Sequence, residues 1–136
     1  MSYAYAEALQ AAVFARLSGD PDVAAQSAGA VFDAAPPGPV PPLYVALGPE
    51  EVRDRSDGTG TGALHRFTVS VVSEAGGFLA AKRLGGAVDA ALTGAPLALS
   101  RGRVVLLVFE RARARRDRNG KRRMVELRFR ARTDET

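Results

Sequence analysis

Few side chains in this sequence can do chemistry. His65 is the only histidine and cysteine is absent. That excludes thiol nucleophiles, disulfide scaffolds, zinc fingers and iron–sulfur ligation. One histidine leaves little material for a transition-metal site. A serine nucleophile needs a base and an orienting acid. His65 with Asp54 or Asp57 offers that pair, but no G-x-S-x-G elbow accompanies it. His65 therefore reads as a strand histidine near a sheet edge. Gly58, Gly60 and Gly62 resemble a phosphate loop, yet they precede a strand and lack Gly-Lys-Ser/Thr, so they read as a flexible loop. Glu50, Glu51, Asp54 and Asp57 can ligate a hard cation, but not at EF-hand spacing, and read as a solvated acidic loop. No catalytic, cofactor or metal site is expected, and no enzyme.

The arginines carry the strongest pattern. Arg111, Arg113, Arg115, Arg128, Arg130 and Arg132 recur at period two, which places them on one sheet face. Arg116, Arg118, Lys121, Arg122 and Arg123 crowd the turn between them. Such charge can bind phosphates. No aromatics are interleaved for base stacking and no helix carries the charge into a groove, so contact with protein is the expectation. The charge is also segregated. Residues 1–100 hold 6 Lys and Arg against 10 Asp and Glu, a net of −4; residues 101–136 hold 13 against 5, a net of +8. Opposite charge at two places on one chain suits docking of one copy on another. The candidate interface is Glu50, Glu51, Asp54, Arg55 and Asp57 on the acidic side. On the basic side it is Arg115, Arg116, Arg118, Lys121, Arg122 and Arg123.

These residues need elements to position them. Leu9, Val13 and Leu17 form a helical stripe, with Ser2 as N-cap and Gly19 as the stop. Asp20-Pro21 caps a second, short helix over Pro21–Gln26. Val31-Phe32-Asp33 is a short strand, and the proline-rich stretch from Ala35 to Pro42 is a stiff connector. Leu43–Gly48 is a strand stopped by Gly48-Pro49, and residues 50–62 are expected to be a mobile loop. Leu64–Ser73 alternates, with His65, Phe67, Val69 and Val71 on one face. Ala81, Leu84, Val88, Ala91 and Leu92 return to helical spacing, interrupted by Gly85-Gly86. That pair suggests a close approach to the sheet or a kink. Val104–Phe109 is apolar on both faces and reads as a central strand.

Residues 104–132 form a basic β-hairpin around Asn119-Gly120, a type I′ turn signal. With a two-residue loop, partner numbers place Ala114 opposite Val125, Ala112 opposite Leu127 and Val108 opposite Ala131. Arg113 then meets Glu126 as an ion pair. The exception is Glu110 opposite Phe129. A three-residue loop with a glycine bulge instead pairs Phe109 with Phe129 but sets Arg111 beside Leu127.

With 136 residues, 46% of them hydrophobic and 25% charged, the chain suits one domain over 1–136. No apolar run approaches the roughly 20 residues of a membrane span. The start, Met1 to Glu7, lacks a basic patch ahead of an apolar stretch, so no secretory signal is expected. The fold class is α+β, an antiparallel sheet with helices packed on one face.

The order of segments resembles the tail-completion, or tail-terminator, family of long-tailed phages, in the version carried by alphaproteobacterial gene transfer agents. The matching stretches are Leu9-Gln10-Ala11-Ala12-Val13, Val31-Phe32-Asp33 with its proline-rich link, and Pro42 to Gly48. His65 to Val71, the helix Ala81–Leu92, Asp117-Arg118-Asn119-Gly120 and Val125 to Ala131 follow in order. The alanine-, arginine- and proline-rich wording fits a GC-rich genome. The resemblance implies a structural, ring-forming subunit: a homo-hexamer on the head-proximal end of the tail tube that stops tube growth and offers a docking surface to the head. The implied partners are further copies of the chain, the tail tube protein and the head–tail connector (stopper) protein, with DNA passing through the ring and no membrane involved. The implied location is the tail of a phage-like particle, after synthesis in the cytoplasm. The alternatives are a head–tail stopper or other connector ring protein, or a small nucleic-acid-binding module using the hairpin.

Overall fold

The computed structural model describes residues 2–36, 38–56, 58, 60–117 and 119–135. A 3-10 turn over Ser2–Ala4 leads into α1, Tyr5–Gly19. Ala4, not Ser2, holds the cap position of α1. The Asp20 carboxylate accepts from the Val23 backbone N–H at 3.0 Å and starts α2, Pro21–Ser27, with Pro21 at its first position. The strands are β1 (Val31–Phe32), β2 (Leu43–Asp54), β3 (Gly62–Ser73), β4 (Arg103–Arg116) and β5 (Arg123–Asp134); α3 (Leu79–Thr93) lies between β3 and β4.

The five strands form one sheet in the order β1-β2-β3-β5-β4. The expected antiparallel sheet is in fact mixed, because β1 runs parallel to β2. The proline-rich stretch explains this. It cannot turn tightly into a hairpin, so it carries the chain back to the end of the sheet from which β1 started. The expectation of helices on one face holds. Leu9, Val13 and Leu17 of α1, Val23 of α2, and Leu84 and Val88 of α3 are buried against Val45, Val69, Val71, Leu127 and Phe129. The opposite face is covered only near the proline-rich stretch, where Phe32 and Val40 pack on Tyr44, Ala46 and Val72.

Two sequence expectations change. β4 is an edge strand, not a central one. Its apolar half leaves Val105 51%, Leu106 41% and Phe109 43% exposed. An apolar run on both faces is the pattern of a strand flanked on both sides, and β4 carries it at an edge. The loop expected over 50–62 is also shorter, because β2 continues through Glu50–Asp54, paired with Phe67–Ala63 of β3. Gly48-Pro49 makes a bulge between Leu47 and Glu50 instead of ending the strand.

The hairpin contains both weighed registers. From Arg116↔Arg123 to Arg111↔Arg128 the pairing follows the two-residue-loop register, with Ala114↔Val125 and Ala112↔Leu127. A bulge at Glu110 then shifts the ladder by one, giving Phe109↔Phe129 and Leu107↔Ala131, so Val108 faces Arg130 rather than Ala131. The shift removes the mismatch of Glu110 with Phe129 and lets Phe109 meet Phe129 edge to face at 5.9 Å. The expected type I′ turn involves Arg118, which lies outside the described residues; Gly120 takes a positive φ of 67° and its N–H donates to the Asp117 carbonyl at 3.0 Å. The Asp117 N–H donates to the Arg122 carbonyl at 3.1 Å, which keeps the tip register with a longer loop. The Asp117 carboxylate accepts from the Lys121 and Arg122 backbone N–H groups at 3.1 and 3.3 Å.

Candidate functional site

The two groups of candidate interface residues lie at opposite edges of the sheet. Glu50, Glu51 and Asp54 belong to β2, whose outer side is covered by β1 only at Val45 and Ala46. Arg115 and Arg116 end β4, the other edge strand, and Lys121, Arg122 and Arg123 continue around the tip. Asp57 and Arg118 lie outside the described residues.

Strand alternation separates the carboxylates of β2. Glu50 sits opposite Phe67, on the helix side; Glu51 sits opposite Arg66, on the far side. This spacing disperses the proposed cation ligands, and no group of three acidic or histidine side chains able to hold an ion occurs among the described residues. Glu50 lines a cavity of about 660 Å³ with Glu7, Asp33, Gln10, Tyr3 and Phe14. Partial burial raises its carboxyl pKa. Glu51 is held at 2.7 Å by Arg53 Nε, and that hydrogen bond lowers its pKa, helped by the charges of Arg53, Arg66 and Arg128. Asp54 accepts from the Ser56 N–H and hydroxyl at 3.1 and 2.6 Å. Arg55 closes the ladder, its N–H donating to the Gly62 carbonyl at 2.9 Å.

His65 is fully buried on the central strand β3, not near an edge. Its Nε2 is 2.9 Å from Thr133 Oγ1, and its Nδ1 has no hydrogen-bond partner among the described residues. Glu50 Oε2 is 3.9 Å from that Nδ1. Desolvation lowers the imidazole pKa, which favours the neutral ring. Among the described residues the ring's polar neighbours are Thr133 and Glu50, neither of them the serine or the Asp54 of the nucleophile reading; Asp57 lies outside the described residues.

On the basic side the expected pair changes. Arg113 stands opposite Glu126 in register, but the ion pair is made by Arg115, whose Nε lies 2.8 Å from Glu126 Oε1. Strand twist brings the diagonal neighbour within reach of a long side chain. The hydrogen bond and charge of Glu126 raise the Arg115 pKa. Arg115 is therefore not left for a partner, contrary to the sequence expectation. Arg123 is also engaged: it donates to the Gly120 and Gly76 carbonyls at 3.2 and 3.1 Å, and its guanidinium lies over the Phe78 ring at 5.7 Å. Arg122 stands 3.8 Å from Glu74. Arg116 and Lys121 are exposed at the tip.

The centre of the helix-free face holds residues that sequence reasoning missed. Glu110, turned out by its bulge, lies 3.2 Å from Arg66 Nε, 3.4 Å from Arg128 Nε and 3.9 Å from Arg130 Nη1. The one signal for this was the awkward placement of Glu110 opposite Phe129 in an unbroken ladder. Arg16, on α1, reaches the end of α3 and donates to the Ala91, Ala95 and Pro96 carbonyls at 3.0, 3.2 and 2.9 Å. That positive charge satisfies carbonyls at a helix C-terminus, and nothing in the local sequence announced it.

The sheet thus presents two edges of different chemistry, acidic along β2 and apolar then basic along β4, part of which lies exposed. Comparison with known proteins gives the particular class. The family described as "Tail completion protein gp17" matches residues 11–134, and the chain belongs to that family. Its fold is similar to a chain of a solved structure described as "Virion of native gene transfer agent (GTA) particle". The two share 53% identity with a TM-score of 0.91, covering 98% of this chain and 99% of that one. No curated protein matches. The chain is thus a structural protein of the phage-tail type. No helix is long and apolar enough to cross a membrane among the described residues.

Proposed function

We propose that this protein is a tail terminator. It caps the head-proximal end of the tail tube as a ring, stops tube polymerisation and presents the docking surface for the head–tail connector. Its partners are further copies of itself in a homo-hexamer, the tail tube protein and the connector. The observation that carries this reading is the placement of two uncovered edges on one sheet, acidic β2 on one side and the β4 hairpin on the other. Two different surfaces on one subunit make head-to-tail contacts, which close into a ring where the rotation between copies closes. Within the ring, the uncovered edge of β4 takes the Glu50–Asp54 edge of the next copy. The two strands lie antiparallel when neighbouring copies keep the same orientation, one of the two pairings that extend a sheet. The apolar half of β4 is then interior, as its sequence demands. Family membership and the likeness to a gene transfer agent virion chain support a tail role.

Electron microscopy of particles from a deletion strain tests the reading. Filled heads separated from tails, with some tails overlong, are the expected result. Tails of normal length joined to heads in the deletion strain exclude a terminator.

A further inference from the structure

The helix-free face of β3, β5 and β4 is crossed by rows of arginine. Arg66 stands opposite Arg130, and Arg128 stands between Thr68 and Arg111. Like charges placed directly opposite one another destabilise a sheet unless an anion lies between them. Glu110 supplies that anion for Arg66, Arg128 and Arg130. In the neighbouring rows Arg113 stands opposite Glu126, which Arg115 already engages; Arg111, Arg113 and Arg132 are exposed and make no ion pair among the described residues. Beside Glu110 lies a polar hollow of about 130 Å³ lined by Thr68, Arg111, Arg113, Arg128 and Glu126, the last already engaged by Arg115. It offers guanidinium and hydroxyl donors to an oxyanion.

We propose that this face binds the phosphate backbone of nucleic acid without reading its sequence. Same-face residues along a strand are about 6.7 Å apart, two steps of about 3.3–3.4 Å. Arginines at that spacing on neighbouring strands spread positive charge over a surface, which suits a phosphate backbone bound through its charge. Phe67 and Phe129 are buried on the helix side, and Phe109 of β4, 43% exposed, stands opposite Phe129 on that same side. No aromatic platform for bases therefore accompanies the arginines, and the contact is to phosphate alone. A planar guanidinium suits phosphate oxygens in a way an ammonium does not, which accounts for arginine at all of these positions. The face is separate from both strand edges, so this inference does not rest on the ring.

Fluorescence anisotropy of the full chain with two short DNA duplexes of different base composition tests the proposal. Both duplexes bind alike. Affinity falls about 40-fold between 50 and 200 mM salt, as release of counterions from about three phosphates requires. The triple variant R111Q/R113Q/R132Q, whose side chains are exposed, keeps the wild-type melting temperature and loses at least about tenfold in duplex affinity with a shallower salt slope. The hairpin-tip variant R116Q/K121Q stays within about threefold of wild type, because the tip lies off this face. Where the triple variant folds poorly, the single variant R113Q carries the same test, with a smaller loss. The proposal is overturned by absence of salt-dependent duplex binding, by wild-type binding in the folded triple variant, or by loss of binding in the tip variant alone. Tighter binding of poly-glutamate than of duplex at equal ionic strength also overturns it and assigns the face to an acidic protein.

Discussion

His65 and Glu50 are a buried base and a half-buried acid set 3.9 Å apart, and their pKa shifts have opposite consequences. Burial lowers the His65 pKa below 6.5, so the unfolded chain binds a proton that the folded chain refuses as pH falls through that value. Stability from this group is fully present above the unfolded pKa and is lost on acidification. Glu50 acts the other way: its raised pKa lets the folded chain take up a proton first, a gain present below 4.5 and lost as pH rises through the folded value. Between pH 7 and about 6 the histidine is the side chain whose ordinary pKa falls in the window. Thermal melts should show the melting temperature falling across that window. Since His65 is the only histidine, His65→Gln should flatten the dependence while lowering the melting temperature at pH 7. A slope that persists in this variant refutes the assignment. The burial of His65 was legible in the alternation of His65, Phe67, Val69 and Val71. Its two neighbours were not, because Thr133 and Glu50 are distant in sequence and depend on register.

At the scale of elements, α3 and β4 make separate demands. Gly86 is exposed in the middle of α3, and a Cβ added there meets nothing within 4 Å. Gly86→Ala should therefore stabilise the subunit by about 0.5–1 kcal/mol in denaturant titration, through restored helix propensity alone. Gly85 is different, since its added Cβ meets Leu127 and Val125 at 3.5 and 3.6 Å. This is the close approach to the sheet that the glycine pair suggested. In β4, Val105 is bulged out of the ladder and 51% exposed. Val105→Lys should leave the subunit within about 0.5 kcal/mol of wild type, as expected at an exposed position. The same change should abolish assembly, read by native mass measurement and by particle morphology. Unimpaired assembly would show that this edge stays open. Periodicity gave α1, α3, β3 and β5 because each buries a regular stripe within one chain. It misplaced β4, because an apolar run on both faces reads as a central strand whether or not the chain itself covers it, and here β4 lies at the edge. It also lost β2 at Gly48-Pro49, where a bulge passes the two residues that usually stop a strand.

For the molecule as a whole, the consequence of two unlike edges is a rule about mixtures. In the proposed ring each copy uses its β4 edge once and its β2 edge once, so damage to either edge stops growth at one side only. Val105→Lys disables the β4 side. Glu51→Lys/Asp54→Lys reverses two charges on the β2 side, where both carboxylates lie on the strand that continues past Pro49. Neither variant alone should form closed rings. Mixed together, an intact β4 edge from the second meets an intact β2 edge from the first, and the pair then has no competent edge left. The expected species is a heterodimer that grows no further, read by native mass spectrometry. Higher ionic strength should slow its formation more than its dissociation, because charge on the rim steers encounter while apolar contact sets lifetime. A self-complementary two-fold contact behaves differently: one damaged patch abolishes association for that variant, and mixing restores no defined pair. Closed rings from either variant alone, or no dimer in the mixture, would reject head-to-tail assembly through these two edges.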